Sequence, residues 1–137
     1  MRSKTKKITL TTLCAMLMMA SQLSKAEKAE PLPSKPQIHL GKASWYSRKS
    51  PGINRHTANN EIFDDTALTC AMWNVRFNQK VKVTNAVTGK SIIVRVNDRG
   101  PHKRFLNQGR VIDLTERAFK ELSPAKVGLI NVEIELL

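Results

Sequence analysis

The chain has 137 residues, which suits one domain and is too short for two ordinary ones. Its hydrophobic content of 41% and charged content of 25% exclude a mainly disordered protein. The net charge of +12 raises nucleic acid, an anionic membrane or an acidic polymer as partners.

Residues 1–26 have the pattern of a signal peptide. Basic residues near the start precede an uncharged, mostly apolar stretch over residues 8–20, and small residues allow cleavage after Ala26. An uncleaved anchor is the alternative, although the apolar stretch is short for a bilayer-spanning helix. Cys14 follows Leu13 rather than the small residue that a lipobox needs, so we interpret Cys14 as part of the apolar stretch.

Export changes which partners are plausible. Five of the 23 basic residues and none of the 11 acidic residues lie in residues 1–26, which leaves a mature net charge of +7. Outside the cytoplasm, the anionic partners are peptidoglycan peptide carboxylates and other wall polymers, and nucleic acid is excluded unless the N-terminus stays uncleaved and cytoplasmic. Simple solubility is an equal alternative reading of the charge.

Neither cysteines nor histidines predict a special site. After cleavage only Cys70 remains, and its apolar surroundings indicate a buried structural thiol. The three histidines, His39, His56 and His102, have no zinc-site spacing. We therefore expect neither a metal nor a cofactor.

The mature chain divides into a proline-containing linker, residues 27–36, and a domain, residues 37–137. Alternating apolar residues predict a β-hairpin around a turn at residues 85–90 and a C-terminal strand over residues 130–136. Further short strands are predicted at residues 42–47 and 67–72.

One helix is predicted after Asp113 or Thr115, either of which can cap it, and Pro124 follows its end. Many short strands with one helix predict a small β-barrel. Residues 97–109 form a loop that is long for such a domain, and loops of this kind are usually functional or mobile.

Two aspartates stand at the ends of predicted elements. Asp98 directly follows an alternating strand, and Asp113 lies where a strand meets the helix. Polar residues on loops held by rigid neighbours are typical catalytic groups. Glycoside cleavage needs a carboxyl group to protonate the leaving oxygen, and often a second group as base or charge stabiliser. The alternatives remain open: Asp98 organises a turn, Asp113 caps the helix, and Glu61 and Asp64 are solvated loop charges.

Six sequence blocks follow one another along the domain. They are KASWY at 42–46, TANNEIFD at 57–64, ALT at 67–69, VKVTN at 81–85, VRVNDRGP at 94–101 and VIDL at 111–114. Together and in this order, they resemble the rare lipoprotein A family, the septal-ring lytic transglycosylases with a double-psi β-barrel. The Asn-Asp-Arg-Gly-Pro block followed by Ile-Asp-Leu is the most specific part, and the match covers nearly all of residues 41–137.

The resemblance implies a mainly β fold, a six-stranded double-psi barrel with one or two short helices, similar to that of expansins. It implies endolytic cleavage of the bond between N-acetylmuramic acid and N-acetylglucosamine without water, leaving 1,6-anhydro ends. By position, Asp98 matches the acid/base aspartate, Asp113 a second groove aspartate, and Glu61 with Asp64 a Glu-x-x-Asp pair implicated in the family.

Substrate contacts are expected at six further positions. Trp45 and Tyr46 carry aromatic faces that stack on pyranose rings, although core packing is an equal alternative for them. The expected substrate-binding residues are Trp45, Tyr46, Thr57, Asn97, Arg99 and His102.

Met72 departs from the family pattern, which often has a histidine at this position. Methionine cannot transfer a proton, so either the acids suffice, or His56 or His102 substitutes, or activity is lost. The first hypothesis is therefore an exported, monomeric lytic transglycosylase of the periplasm or cell envelope, acting on peptidoglycan glycan strands without stable membrane insertion. The alternative is a non-catalytic, expansin-like barrel that binds glycan, which Met72 favours.

Overall fold

A computed structural model describes residues 35–137 of the chain. The predicted signal peptide and residues 27–34 of the predicted linker lie outside the described residues.

Six strands, two short helices and one 3₁₀ turn make up the described domain. They are β1 (Ile38–Tyr46), β2 (Thr69–Met72), β3 (Lys80–Asn85), β4 (Ser91–Asp98), α1 (Lys103–Leu106), β5 (Arg110–Thr115), α2 (Glu116–Leu122), the 3₁₀ turn (Ala125–Val127) and β6 (Ile130–Leu136).

The strands close into a barrel in the order β1-β5-β2-β4-β3-β6. The β1–β5 and β2–β4 pairs are parallel, whereas the other four pairs are antiparallel. Strand β5 thus lies between β1 and β2, which are consecutive along the chain. This crossover brings residues 44, 71, 98 and 113 from four strands into one row across the barrel wall.

The barrel core is built by strand alternation. In β3, Val81 and Val83 are fully buried while Lys80 and Lys82 are exposed. β6 alternates in the same way. Burying each such branched side chain contributes roughly 1.5–3 kcal/mol. Phe119 of α2 is also fully buried, so this helix covers part of the same core.

The main predicted elements are confirmed. The hairpin forms between β3 and β4, the C-terminal strand is β6, and the helix is α2. Thr115 is the N-cap, since its Oγ1 accepts a hydrogen bond from the Ala118 amide (3.3 Å). Asp113 lies inside β5 and is not a cap, so that alternative reading is wrong.

Three elements differ from their predicted bounds. Strand β2 begins at Thr69, two residues after the predicted start. Strand β1 begins at Ile38, four residues before the predicted start, because residues 38–43 pair with β6. Ile38 and Leu40 are exposed there, so no buried alternation marked the segment. The predicted loop at 97–109 contains the one-turn helix α1, which is too short to show a helical period.

None of the helices within residues 35–137 has the length and apolar character needed to span a bilayer.

Candidate active site

Asp98 and Asp113 lie on two strands separated only by β2. Ala71 of β2 pairs with Asp98 of β4 on one side and with Asp113 of β5 on the other. Because neighbouring strands lie about 4.8 Å apart, the two aspartate Cα atoms are roughly 10 Å apart. The barrel thus brings together two carboxyl groups that are distant in sequence.

A β-bulge aims Asp98 away from the core. Cys70 pairs with Val96, but the next residue, Ala71, pairs with Asp98, so Asn97 is the extra residue. Strict alternation after Val96, which is fully buried in the core, would point Asp98 inwards as well. The bulge instead places Asp98 on the same face as Ala71.

Above Ala71 lies an open groove of about 540 Å³. Asp98 and Asp113 line it together with aromatic and basic side chains. The aromatic and basic members used below are Trp45, Tyr46, Trp73, Phe105, His102 and Arg110. An open groove with acids on its floor and aromatic rings in its walls suits one segment of a polar polymer.

Asp98 is half-buried and held mainly by backbone donors. Its Oδ1 accepts hydrogen bonds from the amides of Arg99 (2.8 Å) and Ala58 (3.2 Å). Within residues 35–137, no donor lies within hydrogen-bond distance of Oδ2. One carboxylate oxygen is therefore fixed by the protein, and the other is left for a ligand in the groove.

Asp113 is held differently, by two side chains. Its Oδ1 accepts hydrogen bonds from Ser44 Oγ (2.6 Å) and from Arg110 Nε (2.6 Å). The Arg110 guanidinium also lies over the Phe105 ring, 4.7 Å from its centroid. Asp113 is thus part of an ion pair whose cation is itself held against an aromatic ring.

Glu61 lies outside the groove and anchors the loop before β2. Both of its oxygens pair with Arg95, at 2.5 and 2.9 Å, and Asn59 Nδ2 and Asn97 Nδ2 donate to it at 2.8 and 3.2 Å. The Arg95 hydrogen bonds are the main cause that lowers the Glu61 pKa from its ordinary 4.5 to about 2. This arrangement fits a charged, positioning carboxylate better than one that transfers a proton.

Replacing Glu61 with glutamine should destabilise the protein by about 1–2 kcal/mol at pH 7, because solvent partly screens the ion pair that is lost. The side chains of Glu61 and Arg95 are 37% and 35% exposed. Because folding lowers the Glu61 pKa, its contribution is complete above pH 4.5 and is lost as the pH falls towards 2. We therefore expect urea unfolding to show that the difference in free energy of unfolding between the unaltered protein and Glu61→Gln becomes smaller as the pH falls from 7 to 3.

The matched control is Glu121→Gln, which removes an exposed helix ion pair with Arg117 and should change stability by less than about 0.5 kcal/mol. If the loss of unfolding free energy in Glu61→Gln stayed constant from pH 7 to 3, the stabilising role of the ion pair with Arg95 would be contradicted.

Asp64 also lies outside the groove. Its Oδ1 accepts hydrogen bonds from the amide (2.9 Å) and hydroxyl (2.7 Å) of Thr66, and Arg48 lies 3.7 Å away. The Thr66 hydrogen bonds are the main cause that lowers the Asp64 pKa. Asp64 therefore shapes the turn before β2, and the structure does not bring it to the two groove aspartates.

The six predicted substrate-binding residues divide into three sets: residues that line the groove, residues that line an adjoining cavity, and one residue that lines neither. Trp45, Tyr46 and His102 line the groove, and Arg99 lines an adjoining cavity that also contains Asp98. Thr57 lines this second cavity, but it is 5% exposed and its hydroxyl donates to Asn59 Oδ1 (2.6 Å).

The remaining residue of this set, Asn97, is the bulge residue; it is 3% exposed and bonded to Glu61. Trp45 lines the groove and also contributes to packing, since it lies against the core and its Nε1 donates to the Ala125 carbonyl (2.9 Å).

Met72 packs into the core and does not line the groove. It is 5% exposed and belongs to the central apolar cluster, while its neighbour Ala71 faces the groove. Position 72 therefore lies on the core side of β2, whereas the two aspartates face the groove on the other side. His102, at the N-cap of α1, is the histidine that lines the groove.

Sequence reasoning missed Arg110 and Phe105. Arg110 precedes Asp113 by three residues, and Phe105 lies in the one-turn helix α1. Neither position has a periodic or motif signal. Both line the groove, and the backbone between them turns at Gly109, where φ is +81°.

The family model described as "Lytic transglycolase" matches residues 38–134. The chain belongs to the lytic transglycolase family. Its curated relatives confirm the resemblance to rare lipoprotein A. The endolytic peptidoglycan transglycosylase RlpA of Vibrio cholerae is 43% identical over 97 residues, covering 71% of this chain and 35% of the relative. The protein of the same name from Pseudomonas aeruginosa is 44% identical over 96 residues, covering 70% and 26%.

A third relative extends further along the chain. The endolytic peptidoglycan transglycosylase RlpA of Rickettsia felis is 36% identical over 114 residues, covering 82% of this chain and 48% of its own length. This chain thus spans about a third of the Vibrio relative and less than half of the other two. The similarity assigns the domain to the family, and it concerns only that part of the longer relatives.

Solved structures confirm the double-psi barrel. Streptomyces papain inhibitor matches with a TM-score of 0.57 and 21% identity, covering 74% of this chain and 94% of that protein. The apo expansin of Clavibacter michiganensis matches with a TM-score of 0.54 and 20% identity, covering 74% and 50%. At these identities, the likeness concerns the fold alone.

Proposed function

We propose that this domain is an endolytic peptidoglycan lytic transglycosylase. The observation that carries the proposal is the placement of Asp98 and Asp113 on either side of Ala71, on the floor of one open groove. Membership of the lytic transglycolase family supports the same reaction class. Several relatives are named endolytic peptidoglycan transglycosylases, and we extend that activity to this chain.

Asp98 is the proposed general acid and base. Its carboxyl group protonates the glycosidic oxygen as the bond from that oxygen to C1 of N-acetylmuramic acid breaks. The C6 hydroxyl of the same sugar then attacks C1, and the Asp98 carboxylate accepts the hydroxyl proton. One C–O bond breaks and one forms, no water is consumed, and Asp98 returns to its starting state.

Asp113 is the proposed charge stabiliser. Its ion pair with Arg110 and its hydrogen bond from Ser44 fix a negative charge on the far side of Ala71 from Asp98. A fixed carboxylate near the sugar favours the positive charge that develops at C1 in an oxocarbenium-like transition state. Since both hydrogen bonds engage Oδ1, Oδ2 remains for substrate hydroxyl groups.

The groove walls suit a glycan strand rather than a small substrate. The groove is open to solvent, as cleavage inside a long strand requires. Trp45 and Trp73 offer aromatic surfaces to pyranose rings. Arg99 and His102 lie at the same surface and suit the carboxylates of peptidoglycan.

This function places the protein in the cell envelope. Removal of residues 1–26 as a signal peptide would deliver residues 37–137 to the periplasm on a short linker. We propose that the delivered domain acts as a monomer without stable membrane insertion and without a cofactor.

The test is digestion of purified peptidoglycan with the purified protein, with products identified by mass spectrometry. We expect 1,6-anhydro ends, whose masses are lower by one water than those of hydrolysed ends. Hydrolysed ends would overturn the transglycosylase assignment. No release of fragments, together with co-sedimentation of the protein with peptidoglycan, would instead establish the alternative, a non-catalytic glycan-binding barrel.

A further inference from the structure

Tyr46 carries a buried hydroxyl group that no described residue satisfies. The residue is 9% exposed, and its Oη is shielded from solvent and has no hydrogen-bond partner within residues 35–137. Burying a hydroxyl without a partner costs about 1–3 kcal/mol. Native structures usually avoid this cost, so an orphaned hydroxyl beside a groove calls for a functional explanation.

The position of the ring is fixed. Tyr46 ends β1, where it pairs with Thr115 of β5, and its ring stacks on Phe63 with centroids 4.8 Å apart. Both aromatic side chains belong to a small apolar cluster with Ala71, the residue between the two aspartates. The ring cannot swing away from the groove without breaking this stack.

Asp98 is the acidic residue that shares both cavities with Tyr46. The two residues line the main groove together and also the adjoining cavity that contains Arg99. Burial first, and the charge of Asp98 second, raise the pKa of Tyr46 above its ordinary value of 10. The hydroxyl therefore keeps its proton at all working pH values and can act only by sharing it in a hydrogen bond.

Two other buried polar atoms within residues 35–137 are also unpartnered, Thr69 Oγ1 and Asn97 Oδ1. Neither residue lines the main groove. Tyr46 is thus the one of these three that combines an unpartnered donor with a place in the groove beside Asp98.

We propose that Tyr46 is a positioning residue for Asp98, which donates its hydroxyl hydrogen bond to the Asp98 carboxylate once that group has released its proton to the glycosidic oxygen. Asp98 reaches this state by a rotation of its side chain, whose Oδ2 has no donor among the described residues in the substrate-free arrangement. In the complex with substrate, this hydrogen bond favours the charged form of Asp98, which forms there by proton transfer to the glycosidic oxygen. This inference rests on the proposed function and adds a residue to its machinery.

The test is Tyr46→Phe, which removes only the hydroxyl and keeps the stack on Phe63. On soluble glycan strands, we expect kcat to fall about 10- to 100-fold while KM changes less than about twofold, because the lost hydrogen bond forms only along the reaction. The pH profile of kcat should also change, since the variant lacks the hydroxyl that would donate to the charged carboxylate of Asp98. The melting temperature should stay or rise.

Thr69→Val is the matched control, because it also removes a buried, unpartnered hydroxyl but lies outside the groove. It should leave kcat and its pH profile unchanged. A Tyr46→Phe protein with the kcat and pH profile of the unaltered protein would overturn the inference alone. A marked loss of thermal stability in Tyr46→Phe would overturn it as well, because the hydroxyl would then have a structural partner. Absence of cleavage by the unaltered protein would instead defeat the proposed function, and this inference with it.

Discussion

Replacing Asp98 with asparagine should reduce the formation of anhydro ends by at least about 100-fold. The amide keeps the size of the side chain and can still accept hydrogen bonds from the Ala58 and Arg99 amides through its oxygen. It cannot protonate the leaving oxygen or accept the C6 hydroxyl proton. Product quantification by mass spectrometry measures the loss, and binding to peptidoglycan should persist.

Two further substitutions test whether the loss of activity is specific to Asp98. Asp113→Asn should lower the rate about 10- to 100-fold, because it removes the charge held by Arg110 and Ser44 but leaves the acid in place. Glu121→Gln, on the exposed face of α2, should not change the rate. If Asp98→Asn retained activity comparable with that of the unaltered protein, the acid assignment would be wrong.

Replacing Gly100 with alanine should destabilise the protein by about 3 kcal/mol or more. The added Cβ would lie 2.8 Å from the backbone nitrogen of Trp73, and the backbone φ is +111°, a region that L residues rarely adopt. Trp73 Nε1 also donates a hydrogen bond to the carbonyl of Pro101 (2.7 Å), the residue after Gly100, so the two segments are held together at this point. Since Asp98 lies two residues away, activity should fall with stability.

Gly89→Ala is the control for Gly100→Ala. Gly89 has a φ of +74° in the β3–β4 turn, and an added Cβ would meet nothing within 4 Å. It therefore measures backbone strain alone, about 1–2 kcal/mol. Chemical unfolding of the two variants compares them directly. Equal destabilisation of the two variants would show that the close approach of Gly100 to Trp73 adds nothing to the cost of replacing Gly100.

Strong local patterns made much of the fold predictable from the sequence. The β3–β4 hairpin, β6 and α2 each have one face in the core, so burial imposes a period of two or of about 3.6 residues. Segments with no buried face left no such period. The start of β1 at Ile38 and the one-turn helix α1 are the two examples.

The site was predictable only in part, because its geometry depends on pairing between distant strands. Asp98 and Asp113 were predicted as candidates from their places at strand ends and from the family resemblance. Asp98 and Asp113 come together on either side of Ala71 because of the crossover of β5 and the bulge at Asn97. No local sequence pattern predicts either feature. Sequence spacing also could not show that Glu61 lies outside the groove, where it forms an ion pair with Arg95.

The most direct test of Asp98 as the acid in a glycan-binding groove is a crystal structure of the Asp98→Asn protein with a bound tetrasaccharide of alternating N-acetylglucosamine and N-acetylmuramic acid. We expect the strand to lie along the groove over Ala71, with a glycosidic oxygen about 3 Å from the side chain at position 98. The C6 hydroxyl of the muramic acid should lie on the same side. A strand bound elsewhere on the barrel, or one whose glycosidic oxygens are all remote from position 98, would contradict this assignment.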